Sequence, residues 1–308
     1  MKINSIIFIL SFILLFSCAT VETKVNPEIS SIEIDENKKF LTYLENDWQK
    51  TLDDNPLFAS YTGDKRNNNK ISSNDIDNFN KGKKSDEQSL KLLKSIDISK
   101  LSEENKLNYK LKEFDLLSSI GTKDFPTYYL RLNQRGGIQS FYETGNRLVY
   151  TSKQDYFDWL NRLKQFETNI YNALEINKEG LLNGHTQPKL VTRGVIAQLK
   201  SIIESDIDSN PYMKVFLDAD DSLLTKDEKA NLINEAKELI QNKINPAYEK
   251  LFNFLKDDYL PNSRDSIGIK DIPNGKEYYK FLAKFYTTTD LTPEDIHNIG
   301  LKEIKRIR

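Results

Sequence analysis

The apolar positions of this chain recur at helical spacing through most of its length. Phe40, Leu41, Leu44 and Trp48 form one such set, and Leu101, Leu107, Leu111 and Phe114 form another. Residues spaced three and four apart gather on one face of a helix, so each set predicts an amphipathic helix. Tyr156, Leu160, Leu163, Phe166 and Ile170 make a further stripe. Thr225-Lys226-Asp227-Glu228 has the form of a capping box, and an amphipathic run follows it. Pro246 falls inside that run. Its ring removes a donor and crowds the preceding turn, which predicts a kink or a break there. Tyr248, Leu251, Phe252 and Leu255 continue an apolar face beyond it. Short strands are expected near 128–132 and 147–150, and loops at 66–69, at Gly136-Gly137 and at 262–275. The expected fold class is all-α, mainly helical with a few short strands, and no internal repeat is found.

The N-terminus breaks this pattern. Lys2 precedes an apolar run at 6–16, interrupted by Ser11, and then comes Leu15-Phe16-Ser17-Cys18. A positive start, a short apolar core and a small residue before the cut describe a secretory signal. The run is too short to predict a transmembrane helix. Leu-x-Ser-Cys at its end resembles a bacterial lipobox, which implies that Cys18 is lipidated and becomes the first mature residue. The other reading is an ordinary signal peptide with an incidental cysteine. Ala19, not an aspartate, follows Cys18. The expected location is therefore the cell envelope, anchored to the bilayer through Cys18 in the outer membrane and facing the periplasm. Residues 19–31 carry little periodicity and include Pro27, as a solvated tether would. The expected organisation is a signal peptide at 1–17, a flexible tether at 18–35 and a helical region at 36–308.

Composition removes several function classes. Lysine and arginine number 44 against 46 aspartates and glutamates, a net charge of −2, so the chain has no electrostatic footprint for nucleic acid. It contains no Walker loop, no Gly-x-Gly-x-x-Gly and no Gly-x-Ser-x-Gly. His185 and His297 are its two histidines, and neither opens a His-Glu-x-x-His zinc motif. Glu294 and His297 share the i, i+3 spacing of di-iron helices, but such sites need a second pair and further carboxylates. The pattern also suits a first-turn glutamate favoured by the helix dipole. His185 lies in a loop-like stretch that suits a surface or hinge position. The acid pairs Asp53-Asp54, Asp220-Asp221 and Asp257-Asp258 diverge on a helix and read as solvated surface. The aromatic residues, at helical spacing, read as core rather than as a sugar or peptide groove.

The second half carries a more specific pattern. Asn245-Pro246-Ala247-Tyr248 leads to Asp257-Asp258-Tyr259-Leu260-Pro261, then Ile272-Pro273-Asn274-Gly275 and Tyr278-Tyr279. Residues 286–297 read Tyr-Thr-Thr-Thr-Asp-Leu-Thr-Pro-Glu-Asp-Ile-His, and Ile299-Gly300-Leu301 follows. Earlier segments include Pro56-Leu57-Phe58-Ala59, Gly63-Asp64-Lys65-Arg66 and Asn133-Gln134-Arg135-Gly136-Gly137. Tyr156 with 159–163, and Gly180 with Gly184, Pro188 and Val191, complete the set. Together they resemble the bacterial family known as domain of unknown function 885, from about Glu36 to the last residue.

That resemblance implies a helical, often lipid-anchored protein related to the gluzincin group of zinc metallopeptidases, with a peptide as substrate of the full-length protein. The family's metal motif resembles His-Glu-x-x-Pro-Gly-His-His and lies downstream of the block at 286–297. Nothing in this sequence matches it. No catalytic or metal residue is carried over, and the zinc implied for full-length members has no counterpart motif here. The expectation is a truncated helical domain, the non-catalytic N-terminal part of a larger protein. The alternative is a non-enzymatic helical lipoprotein that binds peptides or partners, or serves structurally. Thr292, Pro293 and Asp295 predict a helix start, and the basic residues near Arg308 would also suit a natural helix end. The turn at Pro273-Asn274-Gly275 has two readings. One is structural, with Gly275 at positive φ before a helix. In the other, Gly275, Tyr278 and Tyr279 form one wall of a substrate cleft.

Overall fold

The computed structural model describes the backbone from Pro27 and the side chains from Glu36, both to Arg308. The expected signal peptide and Cys18 lie outside the described residues. Helix α1 (Pro27–Asp54) begins inside the stretch read as a tether. It is followed by α2 (Pro56–Tyr61), α3 (Ile76–Lys94), α4 (Glu103–Lys123), α5 (Tyr142–Arg147), α6 (Lys153–Leu182) and α7 (Lys189–Ile203). Then come α8 (Lys214–Leu217), α9 (Lys226–Leu239), α10 (Asn245–Phe254), α11 (Leu260–Asn262), α12 (Gly275–Thr287) and α13 (Pro293–Ile307). The described residues contain no strand. The segment expected as a strand at 128–132 is largely the 3-10 turn Thr127–Leu130, and the one at 147–150 is the end of α5 with an extended tail. Local apolar runs favoured strands there. With no neighbouring strand to pair with, turns satisfy the backbone internally.

Two cores organise the helices. In the first, α1, α3 and α4 enclose Phe40, Leu93, Leu101, Tyr109 and Leu116. In the second, α6 is the central helix, and the whole stripe from Tyr156 to Ile170 is buried in a core with α9 and α10, on which α7 packs in turn. The chain between α2 and α3 ties the cores together. The buried Arg162 of α6 donates to the Lys70 carbonyl at 2.9 Å, the Pro56 carbonyl at 3.2 Å and Ser60 Oγ at 2.6 Å.

Pro246 does not break its helix. The five residues before Asn245 form a π turn, Ile240–Ile244, in which the Asn245 amide donates to the Ile240 carbonyl five residues back. The wider turn makes room for the proline ring, which would crowd a carbonyl in a regular α-turn. The device recurs at Leu255–Tyr259, immediately before Leu260-Pro261. Residues 226–262 thus run on through two prolines without a loop.

Asp155 closes the N-terminus of α6. Its buried carboxylate accepts from Lys65 Nζ at 2.7 Å and from the Thr151 and Ser152 amides at 2.8 and 2.9 Å. Desolvation pushes its pKa up, but the hydrogen bonds from Lys65, Thr151 and Ser152 outweigh that and hold it below the usual carboxylate range. A lowered folded pKa means stability present above the unfolded carboxylate pKa and lost as pH falls through the folded one. Asp155→Ala is expected to cost about 2–4 kcal/mol at neutral pH, because it removes the N-cap acceptor of two backbone amides and the carboxylate partner of the half-exposed Lys65. In urea titrations the gap between wild type and variant should narrow in acid. A gap that does not change with pH would refute the assignment.

Candidate functional site

The loop before α12 is built by close approach. Ile272 is buried, and the Gly275 amide donates to its carbonyl at 2.9 Å. The residue at positive φ is Asn274, at 56°, and not Gly275 as expected. Asparagine tolerates the left-handed region. Gly275 is needed for a different reason: a Cβ there would lie 2.0 Å from the Ile269 carbonyl oxygen. The turn then delivers Tyr278 against Phe125, with ring centroids 4.9 Å apart. Burial raises the Tyr278 pKa, and Tyr286 adds to the shift. Tyr279 points elsewhere and is 52% exposed.

Opposite Tyr278 stands His185. The sequence suits a surface or hinge position for it; it is only 9% exposed, because the turn after α6 folds it inward under the Ile272-Pro273 segment, and the surface alternative falls away. Its Nδ1 lies 3.2 Å from the Asn183 carbonyl oxygen. A carbonyl only accepts, so Nδ1 carries the proton in this contact, and in the neutral ring Nε2 is a bare acceptor. Nε2 is buried and has no partner. The ring packs 5.3 Å from that of Tyr129, whose hydroxyl donates to Glu179 Oε1 at 2.5 Å and accepts from Asn183 Nδ2 at 3.2 Å. Burial, and then the bond to Glu179, raise the Tyr129 pKa. His185, Pro273 and Tyr278 line a crevice of about 10 Å³. That volume is about enough for a single water. The three form a joint that fixes α12 to the end of α6, and Gly275 supports it from outside.

The remaining candidates do not converge. Glu294 and His297 are both exposed on α13. The three acid pairs are exposed. Among the described residues no group of three or more His, Cys, Asp or Glu side chains could hold a metal ion. The zinc implied by the family resemblance therefore finds no fitting ligand set here, with one histidine buried at the α6–α12 joint and the other exposed on the last helix.

Residues 56–308 match the family described as "Bacterial protein of unknown function (DUF885)". The chain belongs to this family. Among curated proteins none matches the DUF885 chain. A solved structure of "the putative lipoprotein from Colwellia psychrerythraea" shares its fold, with a TM-score of 0.69 and 20% identity. The match covers 91% of this chain and 49% of that one, so the chain spans about half the length of the solved relative.

Several segments that carry the DUF885 resemblance converge on the joint. Gly180 and Gly184 shape the turn into His185, Ile272–Gly275 forms the opposing loop, and Tyr259 accepts from the Gln187 amide at 2.8 Å. Sequence reasoning missed Tyr129 and Glu179 as partners. Their separation of fifty positions offers no local signal.

Proposed function

We propose that this chain is the non-catalytic, N-terminal helical part of an exported, lipid-anchored envelope protein of the zinc peptidase-like type, whose metal ligands lie in a further region. The observation that carries the reading is α13. It is a fifteen-residue amphipathic helix with a complete capping box at Thr292 and Asp295, yet it buries none of its residues. Ile299, Leu301, Ile304 and Ile307 are exposed. The apolar stripe of α4 is also only partly covered. A Cβ at Gly121 would lie 2.6 Å from the Phe281 ring, so the missing side chain is what lets α12 dock on the C-terminal end of α4. Phe114 stacks on Phe285 at 6.0 Å, while Leu107 and Leu111 remain 59% and 58% exposed. Apolar faces of this extent mark surfaces that another body covers. The half-length match to the solved relative supports a further body of similar size. In this reading Tyr278 and Tyr279 lie near the edge of the cleft that the two parts would form around a peptide.

Hydrogen exchange tests the reading. The amides of α13 are expected to exchange orders of magnitude faster than those of α6 and α10 in this chain, and to become protected in a longer parent carrying a His-Glu-x-x-Pro-Gly-His-His-type motif. The parent, and not this chain, should hydrolyse a peptide library with zinc dependence. Strong protection of α13 in this chain alone, or a parent without peptidase activity, would count against it. The second outcome would favour a non-enzymatic peptide- or partner-binding lipoprotein.

A further inference from the structure

The buried stripe of α6 ends on a polar residue. Continuing from Ile170 by a helical repeat reaches Asn177, which is 3% exposed. Its Nδ2 donates to the Ala173 carbonyl at 2.7 Å. That bond fixes the orientation of the amide, since the reverse would set oxygen against oxygen. Asn177 Oδ1 is left buried without a partner. Asn74, on the segment before α3, repeats the arrangement. Its Nδ2 donates to the Asn169 carbonyl at 2.9 Å, and its Oδ1 is buried and unpaired. Unmade hydrogen bonds of this kind are costly, and two in one place call for an explanation.

Both asparagines line one cavity of about 250 Å³, beside the rings of Tyr128, Phe141 and Phe166. Among the described residues that line it, only Arg131 is charged. The Arg131 guanidinium lies 5.5 Å from the centroid of Phe79, and its side chain makes no hydrogen bond or ion pair among the described residues. Arg131 is exposed and Asn177 is buried, so the cavity leads from a cation that rests on the Phe79 ring at its mouth to two unused acceptors in its wall. Its volume lies below the roughly 300–1,000 Å³ of drug-sized sites, which limits the ligand to the size of an amino acid.

We infer that this cavity binds a small amino-acid zwitterion. The carboxylate meets Arg131, whose fork of donors suits it in two parallel bonds. The amino N–H groups meet the oxygens of Asn74 and Asn177, and the aromatic rings take the apolar remainder. The site requires neither zinc nor the proposed peptidase activity, and it is tested on this chain alone.

The test is calorimetry on the purified protein with the common L-amino acids, added singly at millimolar concentration. At least one small member, with L-alanine as the reference probe, is expected to bind one-to-one. Propionate lacks the amino group and alaninamide lacks the carboxylate, and each should bind roughly tenfold weaker or worse. Arg131→Gln, a change at an exposed position, should abolish the preference for the acid over the amide. Asn177→Leu keeps the volume and removes an unpaired acceptor, so it should lose binding without lowering the melting temperature. Four results would overturn the inference: no heat with any amino acid, equal binding of L-alanine and propionate, an Arg131→Gln protein that still discriminates, or unchanged binding in Asn177→Leu.

Discussion

Arg162→Ala is expected to destabilise the protein by about 3–5 kcal/mol, the range for emptying a large buried side-chain site and losing its charged hydrogen bonds. Arg162 is fully buried in the middle of α6. Its guanidinium is the point at which α6 holds both α2 and the strap leading to α3, through the carbonyls of Pro56 and Lys70 and the hydroxyl of Ser60. Truncation removes the donor to the Lys70 carbonyl, leaves the Pro56 carbonyl with its bond from Ser60 Oγ at 3.0 Å, and opens a cavity of side-chain size. Neither loss is recovered by water unless the strap opens. Arg162→Met separates the two effects. It fills much of the volume but donates nothing, so it should recover part of the loss and not all of it. Equilibrium urea unfolding of the three proteins measures this. If Arg162→Ala falls within about 0.5 kcal/mol of wild type, as ordinary surface changes do, then the guanidinium does not hold the strap.

How much of this was legible beforehand depended on whether the signal was local. The capping boxes at Thr225 and Thr292 were readable because hydroxyl and carboxylate lie three residues apart. The structure makes both, with Glu228 accepting from the Thr225 amide at 2.9 Å and Asp295 from the Thr292 amide at 2.9 Å. The α6 stripe was readable because it is packed along its whole length. Leu107, Leu111 and Phe114 had the same period but are exposed, because periodicity reports that a face is apolar and says nothing about which partner covers it. Of the kink or break that Pro246 predicts, the break does not occur, for a related reason. Its chemistry predicts a disrupted α-turn, and a π turn supplies the same relief without ending the helix.

The site was less legible than the fold. The turn-forming neighbours of His185 suit either a surface or a hinge position, and what decides between them is burial by Pro273 and Tyr278, about ninety positions away. Gly275 was singled out for positive φ when it serves close approach, a distinction that only the position of the Ile269 carbonyl settles. Asn177 could have been found. Counting on from Ile170 places an asparagine where the stripe requires an apolar side chain, and a polar residue at a core position is a signal in its own right.

Cys18→Ser is expected to abolish fatty-acid incorporation and to change where the protein resides. The argument rests on Leu15-Phe16-Ser17-Cys18, on the absence of any other cysteine, and on the short apolar run before it. Among the described residues no helix is long and apolar enough to cross a membrane. Each buried methylene of an acyl chain contributes about 0.8 kcal/mol, and one chain alone holds a protein only marginally, so stable anchoring needs at least two. A diacylated, N-acylated cysteine supplies three. The serine variant cannot form the thioether, but it also keeps its uncleaved apolar leader, which by itself would hold it at the inner membrane. Two measurements are therefore needed. Metabolic labelling with an alkyne fatty acid should mark the wild type and not Cys18→Ser. Replacing residues 1–17 of the variant with an ordinary cleavable signal peptide should then move it from the outer-membrane fraction to the soluble periplasm. A wild type that takes up no label, or a re-led variant that stays in the membrane in wild-type amount, would mean that Cys18 is not the anchor.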